Sequence, residues 1–224
     1  MPEARESVCR LLGDLHAHRV ATMSPEELQI NIDQRALLEA TANHAGFVKP
    51  GDIVSPFALE EVGGGLVTLD GLLKRGPSVL IFFRFAGCPA CNIVLPYYQH
   101  RLAPCLAALG ATLVAISPQR PDRLVEIKRR HELDFLVASD RDNALGRQFG
   151  ILYTADEPSQ RAALAKGTDM GEVTGTGTWE LPMPSVIVID RDRVVRFADV
   201  HPDWLVRTEA EAVQEAVEAL IVHA

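Results

Sequence analysis

The apolar run Val79-Leu80-Ile81-Phe82-Phe83-Arg84-Phe85 leads almost at once into Cys88-Pro89-Ala90-Cys91 and then into a helical stretch. Such a run reads as a strand buried on both faces, which places it inside a sheet that helices cover on either side. Its far end delivers Cys88 to the first turn of a helix, where unpaired backbone N–H groups and the positive end of the macrodipole favour a thiolate over a thiol. The thiolate is the nucleophilic form of cysteine. With Pro89 and Ala90 between them, the Cys91 sulfur lies close enough to attack a mixed disulfide or a sulfenic acid formed on Cys88. The pair reads as a redox site that opens and closes, with Cys88 the more acidic and the more exposed thiol.

Two other readings stand beside this one: zinc, because His100 and Cys105 follow the pair, and an inert buried pair. Helix geometry weighs against zinc. If the segment from Asn92 to Leu109 is one helix, Cys91 and His100 lie about 13 Å apart along its axis at about 1.5 Å per residue. Only a break at Pro96 or Pro104 would gather them around one ion.

The chain has 224 residues, enough for one full domain with an appendage, and a net charge of −8 that argues against nucleic acid or acidic membranes as partners. Its first residues, Met1-Pro2-Glu3-Ala4-Arg5-Glu6, lack the apolar core of a signal peptide, and no stretch approaches the roughly 18 to 20 apolar residues of a membrane span. The expected location is the cytoplasm. There, four cysteines (Cys9, Cys88, Cys91, Cys105) are too few for a disulfide scaffold, and a close pair is transient and catalytic.

The division expected is an N-terminal helical extension over residues 1–46 and a catalytic domain over 47–224. In the extension Val8, Leu11, Leu12 and Leu15 share one helical face, and Ser24-Pro25-Glu26-Glu27 supplies a cap, a proline at the first helical position and a carboxylate at the third. Two helices are expected before His44. From Gly51 onward strands and helices alternate. Phe57–Leu59 and Leu66–Leu69 form a hairpin over Gly63-Gly64-Gly65. Buried strands follow at Val79–Phe85, Thr112–Ser117 and Phe135–Ala138, with a helix over Pro121–His131 and a short one from Asn143 to Phe149 closed by Gly150. Val186–Asp190 and Val194–Ala198 form a last hairpin, and Thr208–Val222 a terminal helix. The fold class is α/β, a mixed central sheet with helices on both faces. An excursion from Thr154 to Glu180 is either a lid or a surface loop with a helix over Glu157–Lys166.

From Val48 to Leu220 the chain resembles the peroxiredoxin branch of the thioredoxin superfamily, the AhpC/TSA (thiol-specific antioxidant) group, in its Cys-Pro-x-Cys subtype. The resemblance rests on Lys49-Pro50-Gly51-Asp52 with Pro56-Phe57-Ala58-Leu59, on Gly87-Cys88-Pro89, on the stretch Ser139 to Ile151, and on Met183-Pro184-Ser185 leading into Val186–Asp190. It implies a thioredoxin-like fold and a thiol-dependent peroxidase that uses no cofactor and binds no metal. Cys88 would be the peroxidatic thiol and Cys91 the resolving one. The implied partners are a hydroperoxide and an external thiol or thioredoxin-like reductant, with a homodimer as the assembly.

The chain departs from that family's pattern at three positions. A threonine or serine usually stands three residues before the peroxidatic cysteine and a proline four before that; here Phe85 and Ile81 occupy those places. Where the family tends to place an arginine before the Ile-Asp strand, Pro184 stands, an arrangement closer to thioredoxin, where such a proline is commonly cis and faces the cysteines. These departures raise a second function, thiol-disulfide exchange on protein or small-molecule disulfides. Arg84 either adds a positive charge beside Cys88 or reaches to solvent from a strand end, and Pro184 either shapes the site or makes a plain turn. Arg101 and Arg147 read as solvated helix residues, Trp204 as packing, and Cys105 as a buried apolar residue.

Overall fold

The computed structural model describes residues 6–222. Ser7 and Ser24 cap the first two helices, α1 (Val8–Thr22) and α2 (Pro25–Thr41), each hydroxyl accepting from the N–H three residues on. Strands β1 (Ala58–Glu61) and β2 (Leu66–Thr68) pair antiparallel, and Gly64 and Gly65, with φ of 102° and 88°, turn the chain between them. Then come α3 (Leu69–Leu73), β3 (Ser78–Phe82), α4 (Pro89–Arg101), α5 (Ala103–Ala108), β4 (Thr112–Ser117), α6 (Pro121–Arg130), β5 (Leu136–Ser139) and α7 (Ala144–Gln148). The remainder comprises β6 (Leu152–Thr154), α8 (Glu157–Ala165), α9 (Met170–Thr174), β7 (Glu180–Pro182), β8 (Ser185–Ile189), β9 (Val195–Val200) and α10 (Ala210–Val222).

The main sheet has the order β2-β1-β5-β4-β3-β8-β9, with β3, β4 and β5 parallel and the other pairings antiparallel. Every residue of β3 is buried, as its unbroken apolar character requires. Side chains alternate between two cores. Val79, Ile81 and Phe83 join α1, α4, α6 and α10 on one face, while Leu80 and Phe82 join α3 and α7 on the other. This is the thioredoxin-like α/β arrangement, with the N-terminal helices packed on the same face as α4.

Several boundaries move. The strand expected to reach Phe85 leaves the sheet after Phe82: Phe83 N–H still donates to Ile116 (2.9 Å), but the Arg84 carbonyl accepts from the Ser117 hydroxyl (3.0 Å) and the chain turns off. The stretch Asn92–Leu109 is two helices that break at Leu102, whereas Pro96 lies inside α4. The 154–180 excursion contains the expected helix as α8 and a second one, α9. Its ends are pinned by the antiparallel pair β6 and β7 (Tyr153 opposite Leu181), which the sequence reading did not include. Gly150 closes α7 with φ 70°, and a Cβ there would stand 2.1 Å from the Gly46 carbonyl oxygen, so only glycine fits.

Candidate active site

Cys88 is the N-cap of α4, as its place before Pro89 implies; its sulfur accepts from the Cys91 N–H at 3.4 Å. The loop that presents it is held from several sides. Cys88 N–H donates to the Phe85 carbonyl (3.1 Å), and the Asn92 amide donates to the carbonyls of Ala86 (2.7 Å) and Cys88 (2.9 Å). Gln119 accepts from Ala86 N–H at 2.8 Å. Asn92, Ser117 and Gln119 are positioning groups absent from the sequence reading; Asn92 acts on carbonyls four and six residues back, whereas Ser117 and Gln119 act on backbone 33 residues away that only the tertiary fold brings near.

Both cysteines are free thiols, and their acidities are pushed apart. The hydrogen bond from Cys91 lowers the pKa of Cys88, burial opposes it, and the guanidinium groups of Arg84 and Arg207 lower it further. Burial, with the hydrogen bond and charge of Cys88, raises Cys91 well above the ordinary thiol range. One sulfur is thus set up as thiolate and the other as proton-bearing thiol.

The expectation that Cys88 is the more exposed thiol is overturned. Cys88 and Cys91 are each 1% exposed, and Cys9 is the exposed one. Helix α1 packs against α4, and Trp204, 4% exposed in the segment before α10, belongs to the same apolar core as both cysteines. Glu209 fastens the start of α1: its carboxylate accepts from the Ser7 hydroxyl (2.6 Å), the N–H groups of Val8 (3.0 Å) and Cys9 (3.1 Å), and the Tyr97 hydroxyl of α4 (2.9 Å).

Arg84 points inward. Its guanidinium carbon lies 4.9 Å from the centroid of the Trp204 ring and 5.5 Å from that of Phe85, and its Nε is buried. Arg19 of α1 and Arg35 of α2 stack on the same tryptophan, at 5.1 and 5.6 Å. Trp204 is therefore the centre of an arginine cluster as well as a packing residue. Arg207, 6% exposed and missing from the sequence reading, donates to the carbonyls of Trp204 and Val206 and lines a water-sized cavity of about 10 Å³ with Cys91, Pro184 and His201.

Pro184 thus lies beside Cys91, but the described residues contain no cis peptide bond, so the cis geometry considered for it is absent. Arg101 pairs with Glu211 (2.9 Å) and Arg147 with Glu180 (2.7 Å), both as surface ion pairs. Cys105 lies on α5, its thiol donating to the Arg101 carbonyl at 3.6 Å. Among the described residues no three His, Cys, Asp or Glu side chains are grouped to hold a metal ion. Nor is any described helix long and apolar enough to cross a membrane.

The sequence profile described as the AhpC/TSA family matches residues 50–198. The chain is 29% identical over 105 residues to Peroxiredoxin Bcp of Escherichia coli strain K12, covering 46% of this chain and 65% of that protein. It is 33% identical over 78 residues to a putative peroxiredoxin bcp of Haemophilus influenzae, covering 34% of this chain and 50% of that one. The chain therefore spans less than two thirds of the length of these curated relatives. Among solved structures it is similar to Peroxidoxin BcpB from Mycobacterium tuberculosis, with a TM-score of 0.60 and 23% identity over 77% of this chain and 98% of that one. It is likewise similar to a peroxiredoxin-like protein from Aquifex aeolicus, with a TM-score of 0.61 and 16% identity over 78% and 88%. At these identities the structural likeness speaks for the fold.

Proposed function

Since the chain belongs to the AhpC/TSA family, we propose that it is a thiol-dependent peroxidase in which Cys88 is the peroxidatic and Cys91 the resolving thiol. The observation that carries this reading is the place of Cys88 at the N-cap of α4, its sulfur accepting from the Cys91 N–H at 3.4 Å with the second thiol one helical turn on. The Cys88 thiolate attacks one oxygen of a hydroperoxide; the O–O bond breaks, the alcohol or water leaves with the peroxide's proton, and the Cys88 sulfenate takes a proton from solvent to become a sulfenic acid. The Cys91 thiol then attacks that sulfur, water departs, and a disulfide remains. An external dithiol or thioredoxin-like protein supplies two electrons and two protons to restore both thiols.

Arg84 and Arg207 stabilise the thiolate and the negative charge that develops on the leaving oxygen. They supply from β3's far end and from the segment before α10 the positive charge whose usual position Pro184 occupies. Burial of Cys88 suits a small peroxide and hinders a protein disulfide, so reduction by a partner protein requires the α1 cover to open. Thiol-disulfide exchange is the second reading, favoured by Pro184 beside Cys91.

Stopped-flow mixing of reduced protein with hydrogen peroxide, an alkyl hydroperoxide and a small disulfide separates the two. The peroxidase reading expects rapid oxidation by a peroxide, an internal Cys88–Cys91 disulfide by mass spectrometry, and a Cys91→Ser variant that stops at sulfenate after one round. Peroxide oxidation no faster than for a free thiol, with the Cys91→Ser variant trapping a mixed disulfide, overturns it in favour of exchange.

A further inference from the structure

Between α2, the 154–180 excursion and the far end of β3 lies an open cavity of about 210 Å³. Most of its wall is apolar: Met23 and Ile30 from the N-terminal helices, Met170 and Leu181 from the excursion, and the indoles of Trp179 and Trp204. Six polar side chains interrupt this wall: Glu27, Asn31, Gln34, Arg84, Ser159 and Lys166. The Nε of Arg84 and the Nε2 of Gln34 are both buried without an acceptor among the described residues. Gln34 is 5% exposed, and its Oε1 already accepts from the Asp156 N–H at 2.8 Å, which fixes the amide with its NH2 free. Buried donors without acceptors are rare in folded proteins, and the side chains that carry these two line one cavity, so a small shift of either would offer its donor to an acceptor from outside.

Charge narrows the choice. Among the described residues no carboxylate lies within ion-pair distance of Arg84 or Arg19, whose guanidinium groups both stack on Trp204, whereas Arg35 beside them is paired with Asp203 at 2.8 Å. The one carboxylate in the cavity lining, Glu27, is occupied by Lys166 at 2.8 Å. A planar monoanion matches the fork of a guanidinium set beside an amide.

We propose that this cavity binds an organic carboxylate with an apolar body. The carboxylate accepts from Arg84 and Gln34, and the body lies along the apolar wall between the two indoles. The binding stands independently of the catalytic reading. If the bound acid also carries the hydroperoxide, the cavity sets the substrate class, a consequence that rests on the peroxidase reading.

Trp179 and Trp204 are the chain's two tryptophans and both line this cavity, so their fluorescence reports on it directly. Octanoate, 1-octanol and octylammonium serve as probes against the reduced full chain. The proposal expects saturable quenching by octanoate, at least tenfold weaker binding of the other two, and at least tenfold weaker octanoate binding in Gln34→Glu, which keeps the acceptor for Asp156 but puts a negative charge inside. Ala163→Phe, which fills the cavity from α8, should abolish the response, with thermal unfolding confirming that both variants fold. Octanol bound as tightly as octanoate, or octanoate binding unmoved by either folded variant, overturns it. A second arm compares a carboxylate-bearing hydroperoxide with its methyl ester: a tenfold preference for the acid identifies a substrate site, and equal turnover with octanoate still bound identifies a site for a non-reacting acid. Should no peroxide be turned over while octanoate still quenches, the peroxidase reading fails and the binding site stands.

Discussion

Replacing Glu209 with glutamine should loosen α1 and with it uncover Cys88. The carboxylate sits at the start of α1, where the helix dipole favours negative charge, and accepts four hydrogen bonds there, one of them from Tyr97 of the redox helix. Burial alone would raise its pKa; the bonds from Ser7, Cys9, Val8 and Tyr97 outweigh that and bring it from its ordinary 4.5 to about 2. At 1.36 kcal/mol per pH unit this separation corresponds to about 3 kcal/mol, which solvent screening of a partly exposed carboxylate reduces to about 1–2 kcal/mol. Because the folded value is the depressed one, the stabilisation is fully present above pH 4.5 and is lost as pH falls through about 2. A loss of 1–2 kcal/mol makes local opening of α1 roughly 5- to 30-fold more frequent. Amide hydrogen exchange along α1 and alkylation of Cys88 by iodoacetamide should therefore rise together by that factor near neutral pH, and the α1 exchange rates of wild type and variant should converge in acid. Faster exchange in α1 with unchanged Cys88 alkylation would refute the assignment of α1 as the cover. No change in either would refute the role of the Glu209 charge.

Arg84→Gln should slow peroxide-driven oxidation of Cys88 by about 10- to 100-fold if the guanidinium contributes about 1.4–2.7 kcal/mol to the thiolate and the leaving oxygen, read by stopped flow with a parallel upward move in the Cys88 titration. Ultraviolet titration of the reduced protein should show one thiolate forming well below the ordinary thiol value of 9.0, absent in Cys88→Ser, because the Cys91 hydrogen bond and the nearby arginines hold the Cys88 pKa down while burial raises that of Cys9 and Cys91. A first thiolate that survives Cys88→Ser would reverse the roles. Gly150→Ala should destabilise the fold by about 2 kcal/mol or more, measured by urea denaturation, since φ there is 70° and the new methyl would meet the Gly46 carbonyl.

What was legible in the sequence is what local patterns encode. The face of α1, the Ser24 cap of α2, the strand Thr112–Ser117 and the placement of Cys88 at the start of a helix all depend on residues within one or two turns of each other. The misses are long-range. β6 and β7 are three residues each, too short for a period to register, and they exist because Tyr153 and Leu181 meet across the excursion. Glu209 fastens the start of α1 through the Cys9 N–H, a partner 200 positions away.

The same reasoning accounts for the departures from the family's pattern. A motif that asks for a hydroxyl three residues before the cysteine and an arginine before the last hairpin is a statement about chain positions, whereas the thiolate responds to distance, hydrogen bonding and burial. Phe85 and Pro184 fail the positional test. Yet Cys88 is flanked by Arg84 from its own strand and by Arg207 from the segment before α10, and α1 brings Arg19 onto the same indole as Arg84. Two of these three cations lie far from Cys88 in sequence, and one belongs to the N-terminal extension. The extension is thus part of the electrostatic environment of the site, so removing it should act on the Cys88 pKa in two directions, loss of the Arg19 charge raising it and loss of burial lowering it, with Arg84 and Arg207 left to hold the thiolate. A chain lacking residues 1–43 that still titrates Cys88 well below 9.0 would support that division, and one whose Cys88 titrates as an ordinary thiol would assign the dominant charge to the extension.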